Sequence, residues 1–193
     1  MKDKEIYFHV GLAKTGSTFL QKNVFPKLKG IKYISTHKYK KSVNIINNTS
    51  FNKVLVSREF DRQFEKEIKW FTSHFPNTRI IIVFRRHDQW ITSQYKRFVK
   101  NGWHWNFEQF FDIENDKGFW KNNDMLYKNK IDLIRKFTYY KPLILFFEDI
   151  KSHPFDFINK ISSYTKSTYT KESISLSIVH KSYSEKQLLF LRS

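Results

Sequence analysis

Ile6-Tyr-Phe-His-Val10-Gly11-Leu-Ala-Lys14-Thr-Gly16-Ser17-Thr18-Phe-Leu20 begins as a short apolar and aromatic run, breaks at a glycine, and restarts at Ser17 with Leu20, Val24 and Leu28 four residues apart. That pattern predicts a strand, a tight turn and a helix. The same alternation continues along the chain. Ile31 to Ile34 and Val54 to Val56 are strand-sized, with a polar, basic stretch from Thr36 to Asn52 expected as an exposed loop between them. Phe60, Phe64, Ile68, Phe71 and Phe75 share one face of a helix that Pro76-Asn77 ends. Arg79-Ile-Ile-Ile-Val-Phe84 is β-branched and continuously apolar, as in a parallel strand buried on both faces.

Asp88 is expected to cap the next helix, whose apolar stripe is Ile91, Tyr95, Phe98 and Val99. A short helix near Phe107 to Phe111 follows, then helical spacing at Ile131, Ile134 and Phe137, a strand at Leu143 to Phe147 and a helix opened by Pro154. A last helix is expected to end on Leu188, Leu189 and Leu191. Strands separated by helices predict an α/β fold with a central, mostly parallel sheet flanked by helices in three layers, one domain over residues 1–193. In such sheets ligands bind where strands end and helices begin.

Composition narrows the chemistry. Without a cysteine there is no disulfide framework, thiolate metal site or cysteine nucleophile. Hydrophobic residues make up 40% of the chain, enough for a core and too many for a disordered segment. The net charge of +17 favours an acidic partner without naming one. No run is long enough for a membrane span or signal-peptide core, so a cytoplasmic protein is expected.

The turn after the first strand carries two glycines, a lysine and three hydroxyls where backbone N–H groups and a helix start can hold a phosphate. Gly11 and Gly16 have Walker A spacing, but Ser17 stands where that motif requires lysine, and the lysine lies inside the loop at position 14. His9 to Leu20 resembles the 5′-phosphosulfate loop of sulfotransferases that use 3′-phosphoadenylyl sulfate (PAPS). The stretch Arg79 to Tyr95, with Arg85 at the end of the strand and Ser93 eight residues later, resembles their 3′-phosphate segment. Leu143 to Asp149 is similar to a late strand and acid common in the family.

The resemblance implies a P-loop-like sulfotransferase fold and transfer of a sulfuryl group from PAPS to an acceptor hydroxyl or amine, leaving adenosine 3′,5′-bisphosphate (PAP). It implies that Lys14, Thr15, Gly16, Ser17 and Thr18 bind the 5′ end, with Lys14 stabilising the leaving phosphate, that Arg85 and Ser93 bind the 3′-phosphate, and that no metal is needed. Glu59, in a strand-end Ser-x-Glu similar to that of the glycan-modifying branch, is the candidate base, with His104 as rival among Trp103 and Trp105. His9 is expected to be a packed histidine with a hydrogen-bond partner. A basic groove suits an anionic glycan acceptor. Two alternatives stay open: a P-loop kinase of nucleotides or sugars, and a basic nucleic-acid-binding module, although no nucleic-acid partner is expected because the basic residues form no single stripe. The oligomeric state has no signal in the sequence.

Overall fold

The computed structural model describes residues 4–177. Strands β1 (Glu5–Gly11), β2 (Lys32–Ile34), β3 (Lys53–Glu59), β4 (Thr78–Phe84) and β5 (Leu143–Phe146) form one sheet in the order β2-β3-β1-β4-β5. Every pairing is parallel. β1 is central. The chain goes out to the edge at β2, returns to β3 beside β1 and then crosses to β4 on the other side, which puts the ends of β1, β3 and β4 around the crevice where such sheets take ligands.

Alternation along β1 sorts side chains into two layers. Ile6, Phe8 and Val10 face a core with Ile34, Ile46, Ile68, Phe71 and Ile134, contributed on the helical side by α2 (Ser42–Asn48), α3 (Phe64–His74) and α7 (Tyr127–Phe137). Tyr7 faces the other core, with Leu20, Val24 and Phe25 and with Phe157, Ile158 and Ile161 of α9 (Pro154–Tyr164). A third cluster joins Trp90 and Ile91 of α4 (His87–Lys100) to Phe110 of α5 (Phe107–Phe110), Trp120, and Met125 of α6 (Asn122–Met125). Among the described residues no helix is long and apolar enough to cross a membrane.

The structure departs from the sequence reading in four places. Thr36–Lys41 is 3₁₀ and leads into α2, so the stretch expected as an exposed loop is a helical lid on the sheet. Tyr39 and Ile46 explain this: both are buried, and the Tyr39 hydroxyl donates to Glu67 Oε2 at 2.8 Å, while Lys38, Lys40 and Lys41 face water. The helix from Ser17 is α only in α1 (Ser17–Phe19); Leu20–Val24 is a π-turn closed by the Phe25 N–H on the Leu20 carbonyl, and Phe25–Lys27 is 3₁₀. The wider turn keeps Leu20 and Val24, four apart, both buried.

Phe60 belongs to the core but precedes α3, in a turn fixed by its N–H on the Gly11 carbonyl at 2.8 Å. Asp88 does not cap α4; it pairs with Arg86 at 3.2 Å. The Arg86 N–H is instead taken by Glu148 Oε1 at 3.0 Å, from α8 (Phe147–Ser152), because the β5 neighbour brings that carboxylate across. The expected last helix lies outside the described residues.

Candidate functional site

Gly11 and Glu59 are opposite each other at the ends of β1 and β3. A Cβ on Gly11 would stand 2.4 Å from Ser17 Oγ, 3.1 Å from His9 Cε1 and 3.3 Å from Glu59 Cγ, so a side chain there would push the Ser17 hydroxyl aside. Ser17 is buried next to Gly11, and its Oγ makes no hydrogen bond among the described residues. Burial pushes the Glu59 carboxyl above the usual carboxylate range; the Ser17 hydroxyl draws it back, Asp61 adds to the rise, and Arg97 and Lys14 oppose it.

Lys14 is half-buried and adopts a left-handed φ of 69°, a conformation costly for a residue with a Cβ. Burial disfavours its ammonium, as do Arg97, Arg85 and, less, Lys100, while Glu59 favours it. Positive charge from three neighbours thus outweighs the one carboxylate that favours the Lys14 ammonium. Gly16, with φ 86°, precedes α1. The first N–H groups of a helix lack intrahelical partners, and here they belong to Ser17, Thr18 and Phe19. Thr15 is fully buried and its hydroxyl donates to the Leu12 carbonyl at 2.6 Å, so its side chain braces the loop from inside. Thr18 is half-buried.

Arg85 leaves β4 beside this loop and donates from Nη1 to the Lys14 carbonyl at 3.1 Å, with its guanidinium 4.5 Å from the Phe147 ring centroid. Burial lowers its pKa, against the pull of Glu148 and Tyr127. Tyr127 stacks on Phe84 and His87, each at 4.2 Å, and donates its hydroxyl to the Arg85 carbonyl. Ser93 is buried two turns into α4. The structure therefore brings Lys14, Ser17 and Glu59 to one point, with Arg85 beside the loop. His104 is exposed on the stretch after α4. His9 is fully buried with Nδ1 2.9 Å from Ser57 Oγ, as expected, and burial pushes its pKa down to about 3.

Four residues in this region escape the sequence reading. Asp61 Oδ1 accepts the Ala13 N–H at 3.3 Å and Gln94 Nε2 at 3.2 Å, and its Oδ2 takes Arg97 at 2.7 Å. The Ala13 carbonyl accepts Trp90 Nε1 at 2.9 Å and Gln94 Nε2 at 3.3 Å. Trp90, Gln94 and Arg97 are spaced i, i+4, i+7 on α4. That spacing was readable, but the apolar stripe at Ile91, Tyr95 and Phe98 is the stronger periodic signal and hides it. Among the described residues no group of His, Cys, Asp and Glu is arranged to hold a metal ion.

Beyond Arg97 lies an aromatic shelf. Phe98 packs on Trp103 at 4.8 Å, Trp103 on Trp105 at 4.6 Å, and both indoles on Phe119 at 5.5 Å, while the Arg62 guanidinium lies 3.8 Å from the Phe119 centroid. Trp103 and Trp105 remain 36% and 37% exposed.

No family model matches the chain, and no curated protein matches it in sequence. Its structure is similar to that of a sulfotransferase from Alicyclobacillus acidocaldarius, with a TM-score of 0.66 at 14% identity over 96% of this chain and 88% of that one. It is also similar to mouse sulfotransferase SULT7A1 complexed with PAP, with a TM-score of 0.59 at 14% identity over 88% of this chain and 60% of that one. The fold is the sulfotransferase-like α/β fold.

Proposed function

We propose that the chain forms one PAPS-dependent sulfotransferase domain acting on a carbohydrate acceptor. The observation that carries this reading is the convergence of Lys14, Ser17, Glu59 and Arg85 at the ends of β1, β3 and β4 in a fold shared with sulfotransferases. Residues 14–18 take the 5′ end of PAPS, through the Lys14 ammonium, the Ser17 and Thr18 hydroxyls and the backbone N–H groups from Thr15 onward. Thr15 acts through its N–H, since its hydroxyl proton is spent on Leu12. Arg85 and Ser93 take the 3′-phosphate.

In the transfer step the acceptor oxygen bonds to sulfur as the bond from sulfur to the bridging oxygen of the 5′-phosphate breaks. Negative charge grows on that bridging oxygen, where a fixed, poorly hydrated cation stabilises it most. Lys14 supplies this cation. Glu59 removes the acceptor proton; its burial favours proton uptake, and its place at a strand end beside Lys14 favours it over the exposed His104. The half-exposed indoles of Trp103 and Trp105 offer apolar faces for sugar rings, and Arg62, Arg97 and Lys100 suit acidic groups on the acceptor.

The test is titration with PAP followed by sulfate transfer from labelled PAPS to anionic glycans, neutral glycans and phenols. PAP binding with transfer to anionic glycans is expected. Transfer to phenols alone overturns the carbohydrate acceptor, and neither binding nor transfer overturns the enzyme.

A further inference from the structure

The peptide unit on each side of Ala13 is gripped from outside the loop. Its N–H is taken by Asp61, its carbonyl by Trp90 and Gln94, and the next carbonyl, of Lys14, by Arg85. Gln94 Nε2 touches both Asp61 Oδ1 and the Ala13 carbonyl, which makes it the hinge pin of the arrangement. Two of these residues, Trp90 and Gln94, lie on one face of α4 together with Arg97, which pairs with Asp61, and the same helix carries Ser93. The grip falls one residue before Lys14, whose left-handed backbone needs an external constraint to persist. Gln94, Trp90 and the Ala13 backbone are buried, so each of these bonds is expensive to lose.

From this geometry we infer that Asp61, Gln94 and Trp90 are positioning residues that fix the 5′-phosphate loop to the helix bearing the 3′-phosphate site, so that the span between the two phosphate sites is set by α4. The inference rests on the nucleotide reading given above and adds a specificity device to it. A ligand is favoured when it carries phosphates at both ends of an adenosine at the separation α4 imposes. A loop freed from α4 loses the 5′ contribution while the 3′ contribution survives.

The experiment compares affinity for PAP with affinity for adenosine 3′-monophosphate, which reaches only the 3′ site. The native chain is expected to prefer PAP. In Gln94→Leu the PAP affinity is expected to fall tenfold or more while that for adenosine 3′-monophosphate changes less than about twofold, collapsing the preference. Asp61→Asn, which keeps an acceptor for the Ala13 N–H but breaks the Arg97 ion pair, is expected to retain more of the preference than Asp61→Ala. This pair also serves if Gln94→Leu does not fold. Equal losses for both nucleotides, or an unchanged preference in Gln94→Leu and Asp61→Ala, overturn the inference with the nucleotide reading intact. Failure of the native chain to bind either nucleotide overturns the nucleotide reading itself.

Discussion

His9 turns burial into a measurable pH dependence. Its ring is fully buried on β1, packs 5.1 Å from Phe25, and reaches Ser57, which also accepts Gln21 Nε2 at 3.0 Å. Burial takes the pKa from 6.5 to about 3. Below pH 6.5 the unfolded chain therefore binds a proton that the native chain refuses. Stability then falls as pH falls, by about 1.4 kcal/mol per pH unit. Between pH 6.5 and 5 this amounts to about 2 kcal/mol.

Glu59 works in the opposite direction. Its raised native pKa means the folded chain takes up a proton first on acidification, so the total curve mixes both groups. The difference between native chain and His9→Asn isolates the histidine, since the asparagine can still meet Ser57 but has no charge to gain. Urea unfolding at pH 7.5, 6.5, 5.5 and 5 is expected to show His9→Asn the less stable at pH 7.5, with its deficit shrinking by about 2 kcal/mol by pH 5. Parallel curves would mean that the folded protein protonates His9 as readily as the unfolded chain, and would overturn the expected pH dependence.

The candidate site gives further expectations. Lys14→Ala should lower sulfate transfer by about a hundred- to a thousand-fold while weakening PAP binding far less, because the cation acts on charge that develops in the transition state; equal losses in both would assign it to binding alone. The pH profile of kcat/KM should be a bell narrowed from both sides. Its acid limb should lie above 4.5 because Glu59 is buried, and its alkaline limb below 10.5 because burial, Arg97 and Arg85 disfavour the Lys14 ammonium. Glu59→Gln should remove the acid limb together with most of the rate, and an acid limb at or below 4.5 would count against Glu59 as base. Gly16→Ala places a Cβ at φ 86°, 2.8 Å from Ile150 Cδ1 and 2.9 Å from Phe147 Cδ2. It should cost about 1–2 kcal/mol in unfolding experiments from the backbone alone and weaken PAP binding.

The sheet was legible because its strands are short, β-branched apolar blocks bounded by turn residues, and the turn after β1 because two glycines, a lysine and hydroxyls follow that strand directly. The 36–52 segment misled for a physical reason: its lysines and asparagines outnumber its two anchors, yet Tyr39 and Ile46 suffice to bind it to the sheet. Asp61 and Gln94 were illegible for another. A buried polar side chain has no periodic signature, and its role depends on a backbone group, that of Ala13, more than forty residues away. The cap on α4 failed to show for the same reason, since the acceptor for Arg86 is Glu148, which only the β4–β5 pairing brings near.

The net charge of +17 says less about the site than the few arginines with fixed geometry. Arg79 joins Glu5 and lies over Tyr140, Arg62 lies over Phe119, Arg97 joins Asp61, and Arg85 holds the Lys14 carbonyl. Each guanidinium has a defined partner in the fold. Around Lys14 the cations exceed the carboxylates Glu59 and Asp61, and Asp61 is already engaged by Arg97 and the loop. The local field is therefore positive and geometrically defined, whereas the charge spread over the outer surface is screened within about 8 Å at physiological salt. On the proposed reading, discrimination between anions rests on the Lys14 loop, held at the Ala13 carbonyl by Trp90 and Gln94 of α4, and on Arg85, which leaves β4 and donates to the Lys14 carbonyl.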